Sequence, residues 1–394
     1  MKRLLALTLA VALPLLACQA RLAAAPTSPD SAGSVRFFRV ANSAFDVVTR
    51  DPSLAAQRWM QQHYSRMLTY SPYFDSRLRW FPNAWVYKDL YAIYLGSALA
   101  QQHPEWILRD ARGNALYIPF GCAGGSCPQY AGDVGSPAFR ARWISDAGGL
   151  LAKGYLGLFV DDVNLLLSRV SDGSGQAVPP IDPRTGQQMT EADWQRYVAD
   201  FTQAIAAAFP NAELVHNALW FAGHDAPDVA RELESASVIN LERGVNDPGI
   251  RGGAGPYGFD TLLSHIDWLH ASGKGVVFDA GAQNEPQREY GLAAYFLVST
   301  GGDWLGNDRG GRPGDWWKGY NVSLGDPLGP RYAWSGVLRR DFQLGVALVN
   351  PPDAAPRTVA LQAGYVDLNG RPSASLTLAA AAGAVLLKAE PNAG

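Results

Sequence analysis

Charged side chains, cysteine and histidine are scarce in this chain of 394 residues. Charged residues make up 18% of the sequence, and there are three cysteines and six histidines. The formal net charge is −3 and no run of basic residues occurs, which argues against nucleic acid as a partner. The histidines do not cluster at metal-ligand spacings, so the sequence predicts neither a metal nor another cofactor.

Several motifs of well-known enzyme classes are also missing. The chain has no Gly-x-Ser-x-Gly elbow, no Walker loop and no His-Glu-x-x-His helix. Glycine-rich stretches at 252–258 and 301–314 lack the spacing of a dinucleotide-binding turn. These absences argue against serine hydrolases of the elbow type, P-loop enzymes, zincins and nicotinamide-dependent enzymes.

The N-terminus has the pattern of an export signal. Lys2 and Arg3 precede the apolar residues 4–16, a segment too short for a stable membrane span. Leu-Leu-Ala-Cys follows, which resembles a bacterial lipobox and predicts a signal peptide over 1–18 with a lipid anchor on Cys18. Gln19 rather than Asp favours, by that resemblance, the outer membrane, facing the periplasm or the cell surface. The alternative is an ordinary signal peptide cleaved nearby.

Two further features agree with export. Residues 19–33 are rich in Ala, Pro and Ser, which is typical of a flexible tether. Cys122 and Cys127 flank Ala-Gly-Gly-Ser, a loop flexible enough to bring the two thiols together. An oxidising compartment would permit this disulfide, and two cysteines without a nearby histidine cannot build a zinc site.

The rest of the chain predicts two domains. Apolar strand-like runs alternate with helical patterns over 34–318, which favours a (β/α)₈ barrel. A helix is expected over 51–67. The eight strands are expected at 35–40, 83–87, near 106–108, and at 156–160, 213–215, 238–241, 275–278 and 303–306. Short strands separated by Gly, Pro and Asn over 319–394 predict a small, sandwich-like antiparallel β-domain.

Carboxylates recur at the predicted strand tips. Asp161 and Asp162 end the fourth strand, Glu242 ends the sixth and Asp279 ends the seventh. In such barrels the C-terminal tips of the strands carry the chemistry. Glycosidic cleavage needs one carboxylic acid to protonate the leaving oxygen and a second carboxylate to attack the sugar or activate water. These four residues are therefore the candidate catalytic groups.

Each candidate also has a structural interpretation. One of the two aspartates could cap the segment after it, Glu242 could pair with an arginine, and Asp279 could cap the next helix. Other polar and aromatic residues near the tips are candidates for binding sugar hydroxyls or stacking on sugar rings, although ordinary hydrogen bonding or core packing would equally explain them. They are Lys88, Tyr87, His216, Asn217, Trp220, Asp303 and Trp304.

Several segments together resemble a known family. The most specific is GYLGLFVDDVN at 154–164, followed by VINLERG at 238–244. Looser matches are HPEW at 103–106 with Asp110 and Gly113, DVGSPAFR at 133–140, DPLG at 326–329, RDF at 340–342 and VNP at 349–351. The chain resembles the bacterial glycoside hydrolases often called hypothetical glycosyl hydrolase family 15, barrels of the α-galactosidase-like and polygalactosaminidase-like kind.

The resemblance implies roles for two residues. In α-galactosidase-like barrels the nucleophile is the aspartate of the fourth strand and the acid lies on the sixth. Carried over, this makes Asp161 the nucleophile or base and Glu242 the proton donor, although the sixth strand here offers Glu and the fourth offers two Asp. The expected function is a monomeric glycoside hydrolase acting on a polysaccharide or oligosaccharide. An inactive glycan-binding lipoprotein and a transglycosidase are the alternatives.

Overall fold

The computed structural model describes residues 31–220, 226–279 and 281–389. The predicted signal peptide and Cys18 lie outside the described residues. Among those that are described, no helix is both long and apolar enough to cross a membrane.

Eight parallel strands close into a barrel in the order β1-β2-β3-β6-β7-β8-β9-β10. Their bounds are β1 (Phe37–Ala41), β2 (Arg66–Thr69), β3 (Ala84–Asp89), β6 (Gly157–Val163), β7 (Glu213–Ala218), β8 (Val238–Leu241), β9 (Gly275–Asp279) and β10 (Trp304–Gly306). Between β3 and β6, β4 (Ala92–Tyr94) and β5 (Gln129–Ala131) form an antiparallel ribbon. The predicted (β/α)₈ barrel is confirmed.

Helices surround the barrel. They are α1 (Asp46–Thr49), α2 (Leu54–His63), α3 (Ala98–Gln102), α4 (Pro137–Leu151), α5 (Glu191–Ala208), α6 (Pro227–Ser235), α7 (Phe259–Ala271) and α8 (Glu285–Val298). The long helix α5 shows why the sequence folds this way. Thr190 and Asp193 form a reciprocal capping box at its start. Trp194, Val198 and Phe201 then bury one face at helical spacing.

Two predictions in the first half of the barrel are wrong, a helix bound and a strand, but together they leave the position of β6 in the strand order unchanged. The helix expected over 51–67 ends at His63, because the chain turns back into the barrel as β2. The strand expected near 106–108 is not in the barrel. Residues 104–106 form a turn of 3₁₀-helix whose tryptophan packs into the core beneath a long loop. The run at 83–87 is thus the third barrel strand, and β6 remains the fourth.

The C-terminal antiparallel domain is also confirmed. A five-stranded sheet of order β11-β12-β13-β17-β15 packs against the two-stranded sheet β14-β16 over a small apolar core. The strands are β11 (Tyr332–Trp334), β12 (Val337–Asp341), β13 (Gly345–Asn350), β14 (Arg357–Ala360), β15 (Tyr365–Val366), β16 (Ser375–Leu378) and β17 (Ala382–Lys388). The sequence missed β11 and β12. The predicted domain boundary at residue 319 stays a prediction.

The β-domain is fixed to the barrel through helix α8. The Arg340 guanidinium donates to the backbone carbonyls of Phe296 and Ser299 at 2.9 and 2.8 Å. Glu289 accepts the backbone N–H of Val385 at 3.2 Å. These contacts join the β-domain to the helix that follows β9.

Candidate active site

One cavity of about 720 Å³ opens at the C-terminal tips of β6, β7 and β8. Residues of the barrel and of two long loops line it together. The polar lining residues are Asp161, Asp162, Asn164, Arg169, Asn217, Glu242, Arg243, Asp247 and Gln129. Aromatic and apolar lining residues are Tyr70, Tyr87, Tyr94, Ile118, Pro119, Phe120, Pro128, Ala218, Leu219 and Trp220. The structure thus brings six of the predicted site residues to one cavity: Tyr87, Asp161, Asp162, Asn217, Trp220 and Glu242.

Three hydrogen bonds hold the Asp161 carboxylate in place. The hydroxyl of Tyr87 donates to Oδ2 at 2.7 Å, and the amide of Asn217 donates to Oδ1 at 2.8 Å. The backbone N–H of Asp162 also donates to Oδ1, at 2.9 Å. Charge-assisted bonds of this kind are directional and strong, so the carboxylate has a fixed orientation in the cavity wall.

A bulge separates the two aspartates of the pair. The register between β6 and β7 shifts between Val160 and Val163, and Asp162 has a left-handed backbone with φ of 53°. A bulge re-aims side chains, and a non-glycine residue at positive φ is strained. The bulge therefore brings the Asp162 side chain to the cavity wall beside Asp161, with one oxygen of each carboxylate within 4.8 Å of the other. The side-chain amide of Asn164 donates to Oδ1 of Asp162 at 2.8 Å. Asp162 thus stabilises the segment that follows it, which is the structural role that the sequence allows for one of the two aspartates.

A third carboxylate lies beside this pair. Asp89, the last residue of β3, is only 7% exposed and pairs with Asp161 in the strand register. Burial, and then the charge of Asp162, raise the pKa of the Asp89 carboxyl well above its usual range. Burial and the charge of Asp161 also raise the pKa of Asp162. Asp89 lies at the tip of the strand predicted over 83–87, but it was not among the predicted site residues, because only the strand register brings it next to β6.

Asn217 links the two predicted catalytic carboxylates. Its amide nitrogen lies 2.8 Å from Oδ1 of Asp161 and 3.4 Å from Oε2 of Glu242. Because both oxygens lie near the same nitrogen, the distance between them cannot exceed the sum of these two distances, which is about 6 Å. The Asn217 carbonyl in turn accepts the amide of Asn240 at 3.0 Å, which orients the bridging amide.

Asp279 ends β9 but is not among the residues that line the cavity. The amide of Asn307 lies 3.4 Å from both of its oxygens. Burial raises the pKa of Asp279 to about 7. The charge of Glu242 also raises this pKa, whereas the hydrogen bond from Asn307 lowers it. It does not cap the helix that follows, because Asn284 is the N-cap of α8.

Exposed aromatic rings form part of the cavity wall. Phe120 is 71% exposed and Tyr94 49% exposed, and both line the cavity. Tyr70 stacks on Tyr87 with ring centroids 4.9 Å apart. The sequence missed Phe120, Tyr94 and Tyr70, because they lie in a loop, in the three-residue strand β4 and directly after the short strand β2, where no periodic pattern can form.

The wall that carries Phe120 is closed by the predicted disulfide. Cys122 and Cys127 are joined with an S–S distance of 2.07 Å. Residues 118–120 and Pro128, on either side of this disulfide loop, line the cavity. The disulfide therefore connects the two sides of one cavity wall.

Two predicted binding residues point away from the cavity. Lys88 follows Tyr87 in β3, so its side chain faces the opposite side, where its ammonium lies 4.9 Å from the centre of the Trp143 ring of α4. His216 precedes Asn217 in β7 and is fully buried, with Nδ1 2.6 Å from a carboxylate oxygen of Glu232 in α6. The prediction that Lys88 and His216 bind substrate is wrong, because strand alternation directs them toward the helices.

Asp303 and Trp304 lie at the opposite end of the barrel, where β10 begins. Asp303 is fully buried and accepts the backbone N–H groups of Val276 and Thr300 at 2.9 Å each. Trp304 fills the barrel interior, 5.4 Å from Trp85 between ring centroids. Their predicted role in substrate binding is also wrong. Both are structural, because chemistry in this fold is found at the other end of the strands.

One group of acidic residues has the spacing of a possible cation site. One oxygen each from Asp89, Asp161 and Asp162 lies within 4.8 Å of the others. Acidic clusters are common without a metal, and no further feature of the described residues points to one, so we assign none.

Comparison with known proteins links the fold to glycoside hydrolases. No protein-family model and no curated protein matches the sequence. Among solved structures, the chain is similar to a GH27 β-L-arabinopyranosidase from Geobacillus stearothermophilus, with 10% identity, a TM-score of 0.51, and coverage of 91% of this chain and 98% of that one. At this identity the likeness shows the fold alone.

Two other structures are similar at lower TM-scores. One is the glycoside hydrolase domain of PelA from Pseudomonas aeruginosa, with 19% identity, a TM-score of 0.41, and coverage of 71% of this chain and 97% of that domain. The other is an α-amylase from Lactobacillus plantarum, with 12% identity, a TM-score of 0.45, and coverage of 89% and 98%.

Proposed function

We propose that the protein is a glycoside hydrolase that cleaves O-glycosidic bonds of a polysaccharide or oligosaccharide. The observation that supports this most is the shared contact of Asn217 with Asp161 and Glu242 in one cavity. Two carboxylates on either side of a cleft are what glycosidic cleavage requires. Exposed aromatic rings in the same wall suit the C–H faces of sugars.

In this mechanism Asp161 attacks the anomeric carbon while Glu242 gives a proton to the leaving oxygen. The three donors on Asp161 keep its oxygens in one position. Glu242 is exposed and lines the same cavity, where a leaving sugar would lie. Water would then hydrolyse the glycosyl-enzyme, with Glu242 as base.

The spacing of the two carboxylates favours retention of configuration. Their nearest oxygens lie within about 6 Å of each other, whereas inverting enzymes separate the two groups by about 6.5–9.5 Å. Asp279, whose pKa of about 7 suits an acid, is the second candidate for proton donor because its carboxyl lies close enough to Glu242 to be affected by its charge.

We also propose that the protein is an exported, lipid-anchored member of the family resembled in sequence. The lipobox-like segment ending at Cys18 supports the anchor. Mass spectrometry of the membrane-extracted protein should find acyl chains on Cys18. A soluble protein that begins at another residue would contradict the anchor.

The test of the function compares two variants on two kinds of substrate. Wild-type protein should release new reducing ends from at least one member of a broad glycan panel, and D161N and E242Q should each lose this activity. With an aryl glycoside that has a good leaving group, E242Q should keep much of the wild-type rate, because such a group departs without protonation. D161N should stay inactive on both.

Glu234→Gln is the matched control, because Glu234 is an exposed carboxylate on α6 and should have no effect. Wild-type rates in both D161N and E242Q would contradict the proposed roles. Retention of a glycan by wild-type protein without any new reducing ends would instead support a binding protein.

A further inference from the structure

The end of β3 carries a buried acid that the proposed reaction does not use. Oδ1 of Asp89 accepts two backbone N–H groups, from Tyr91 at 2.9 Å and Ala92 at 2.6 Å. Oδ2 is buried and, among the described residues, receives no N–H or O–H donor. A buried carboxylate oxygen without a donor is costly, so this oxygen must carry a proton or share one.

Asp162 is a second acid beside Asp89. One carboxylate oxygen of Asp89 and one of Asp162 lie within 4.8 Å of each other, and each carboxyl acts on the pKa of the other. Two neighbouring carboxylates can be joined by a hydrogen bond only when one of them is protonated.

No cation on the surrounding elements replaces that proton. The other titratable groups near Asp89 are Asp161 and the phenols of Tyr87, Tyr91 and Tyr94, none of which is positive. Lys88 is the nearest ammonium that interacts with Asp89, and it is directed to Trp143 on α4. Arg169 is a cation that acts on Asp162, whose pKa it lowers.

We propose that Asp89 is a positioning residue that keeps one proton and donates it in a hydrogen bond to Asp162, thereby fixing the bulge that orients Asp161. Asp89 holds the proton because it is the more buried of the two and has no amide donor from a side chain. Asp162 then has the Asp89 hydroxyl and the Asn164 amide as donors. Its own backbone N–H donates to Asp161 at 2.9 Å, which transmits the arrangement to the nucleophile.

The shared proton also sets the net charge of the cluster formed by Asp89, Asp161 and Asp162. Three ionised carboxylates within 4.8 Å would repel one another strongly. With Asp89 neutral, this repulsion is reduced. The part of the inference that concerns activity rests on the proposed function, whereas the position of the proton does not.

Infrared spectroscopy locates the proton without any substrate. Wild-type protein at about pH 8, where Asp279 with its pKa of about 7 is largely ionised, should show a carboxylic acid C=O stretch. The band should disappear in D89N and remain in D279N. Its absence from wild-type protein, or its persistence in D89N, would overturn the proposal.

Kinetics on any substrate cleaved by the wild type separates positioning from a merely structural role. In D89N the amide can donate to Asp162 as the acid does, while its oxygen accepts the Tyr91 and Ala92 N–H groups. We expect D89N to keep kcat within about threefold of wild type, and D89A to lower kcat by about 100-fold with little change in KM. D89N should also lose less activity than the wild type as the pH rises, because an amide has no proton to release.

Equal loss of kcat in D89N and D89A would contradict the positioning role even if the band is present. If D89A does not fold, the D89N pH profile and the infrared band decide. If the wild type cleaves no glycan, the proposed function fails, but the band still tests where the proton lies.

Discussion

Two corners of the barrel mouth hold buried aspartates in different surroundings. At the Asp161 corner, formed by Asp89, Asp161 and Asp162 with Asn217, every direct partner of Asp161 is a neutral donor. At the Asp308 corner, formed by Arg39, Arg288 and Asp308 after β10, Asp308 accepts from the Arg288 guanidinium at 2.6 Å and its carbonyl accepts from Arg39 at 2.6 Å. The central carboxylate is paired with a guanidinium at the Asp308 corner and is held by neutral donors at the Asp161 corner.

This difference indicates where chemistry is favoured. A carboxylate paired with a guanidinium has its charge satisfied within the protein. An uncompensated carboxylate can stabilise positive charge that develops on a sugar in an oxocarbenium-like transition state. Burial of an acid does not distinguish the corners, since Asp89 and Asp308 are both buried.

The largest expected effect is on activity at the Asp161 corner. D161N should lower the hydrolytic rate by about 10³-fold or more, because the proposed nucleophile is lost while its neighbours remain. Its free energy of unfolding should not fall, since one of three adjacent negative charges is removed. Initial rates and urea unfolding of the same preparation measure both effects. A variant that is inactive because it is unfolded would not support the comparison.

The opposite pattern is expected at the Asp308 corner. D308N should lower the free energy of unfolding by about 3 kcal/mol, because it breaks a buried ion pair and leaves Arg288 without its partner. The kcat of the folded enzyme should stay within a few fold of wild type. Urea unfolding measures the change in the free energy of unfolding, and initial rates below the denaturation midpoint measure kcat of the folded enzyme. A loss of kcat in D308N comparable with that in D161N would remove the distinction between the corners.

The sequence predicted the barrel and Asp161 because both depend on local patterns. An apolar run that ends in acids identifies β6 and its tip without any long-range information. Asp89, by contrast, becomes part of the site only through the β3–β6 register. The direction of Lys88 and His216 depends on which face of the strand points inward, which a run buried on both sides does not reveal.

The other differences between the predicted and the observed structure lie in short or irregular segments. The four-residue strand β2 follows a helix with no turn signal that the sequence analysis recognised. The apolar residues near 106–108 support a loop rather than a barrel strand. Phe120 reaches the cavity because a loop closed by a disulfide returns to the barrel mouth, a path that no local pattern encodes.

Asp279, between the two corners, predicts a pH dependence of stability. Its pKa is about 7 in the folded protein and close to 4 in an unfolded chain. From about pH 4 to pH 7 the folded state therefore holds a proton that the unfolded chain has released, and stability falls as pH rises. The slope from this group is at most about 1.4 kcal/mol per pH unit. D279N should flatten that part of the urea-unfolding profile, and an unchanged profile would contradict the raised pKa.

The smallest effect concerns Phe120, which distinguishes binding from chemistry at the Asp161 corner. Phe120→Ala removes an exposed ring from the cavity wall and should weaken binding of a long substrate by about 1 kcal/mol, or roughly fivefold in KM, with kcat nearly unchanged. Leu328→Ala is the control. Leu328 is 63% exposed in the segment before β11 and is not among the residues that line this cavity. Short aryl glycosides should show no effect of Phe120→Ala if the ring binds a sugar unit beyond the cleaved bond. A loss of kcat on both substrates would instead mean that the disulfide-closed wall orients the catalytic carboxylates, and the boundary of the Asp161 corner would then have to include it.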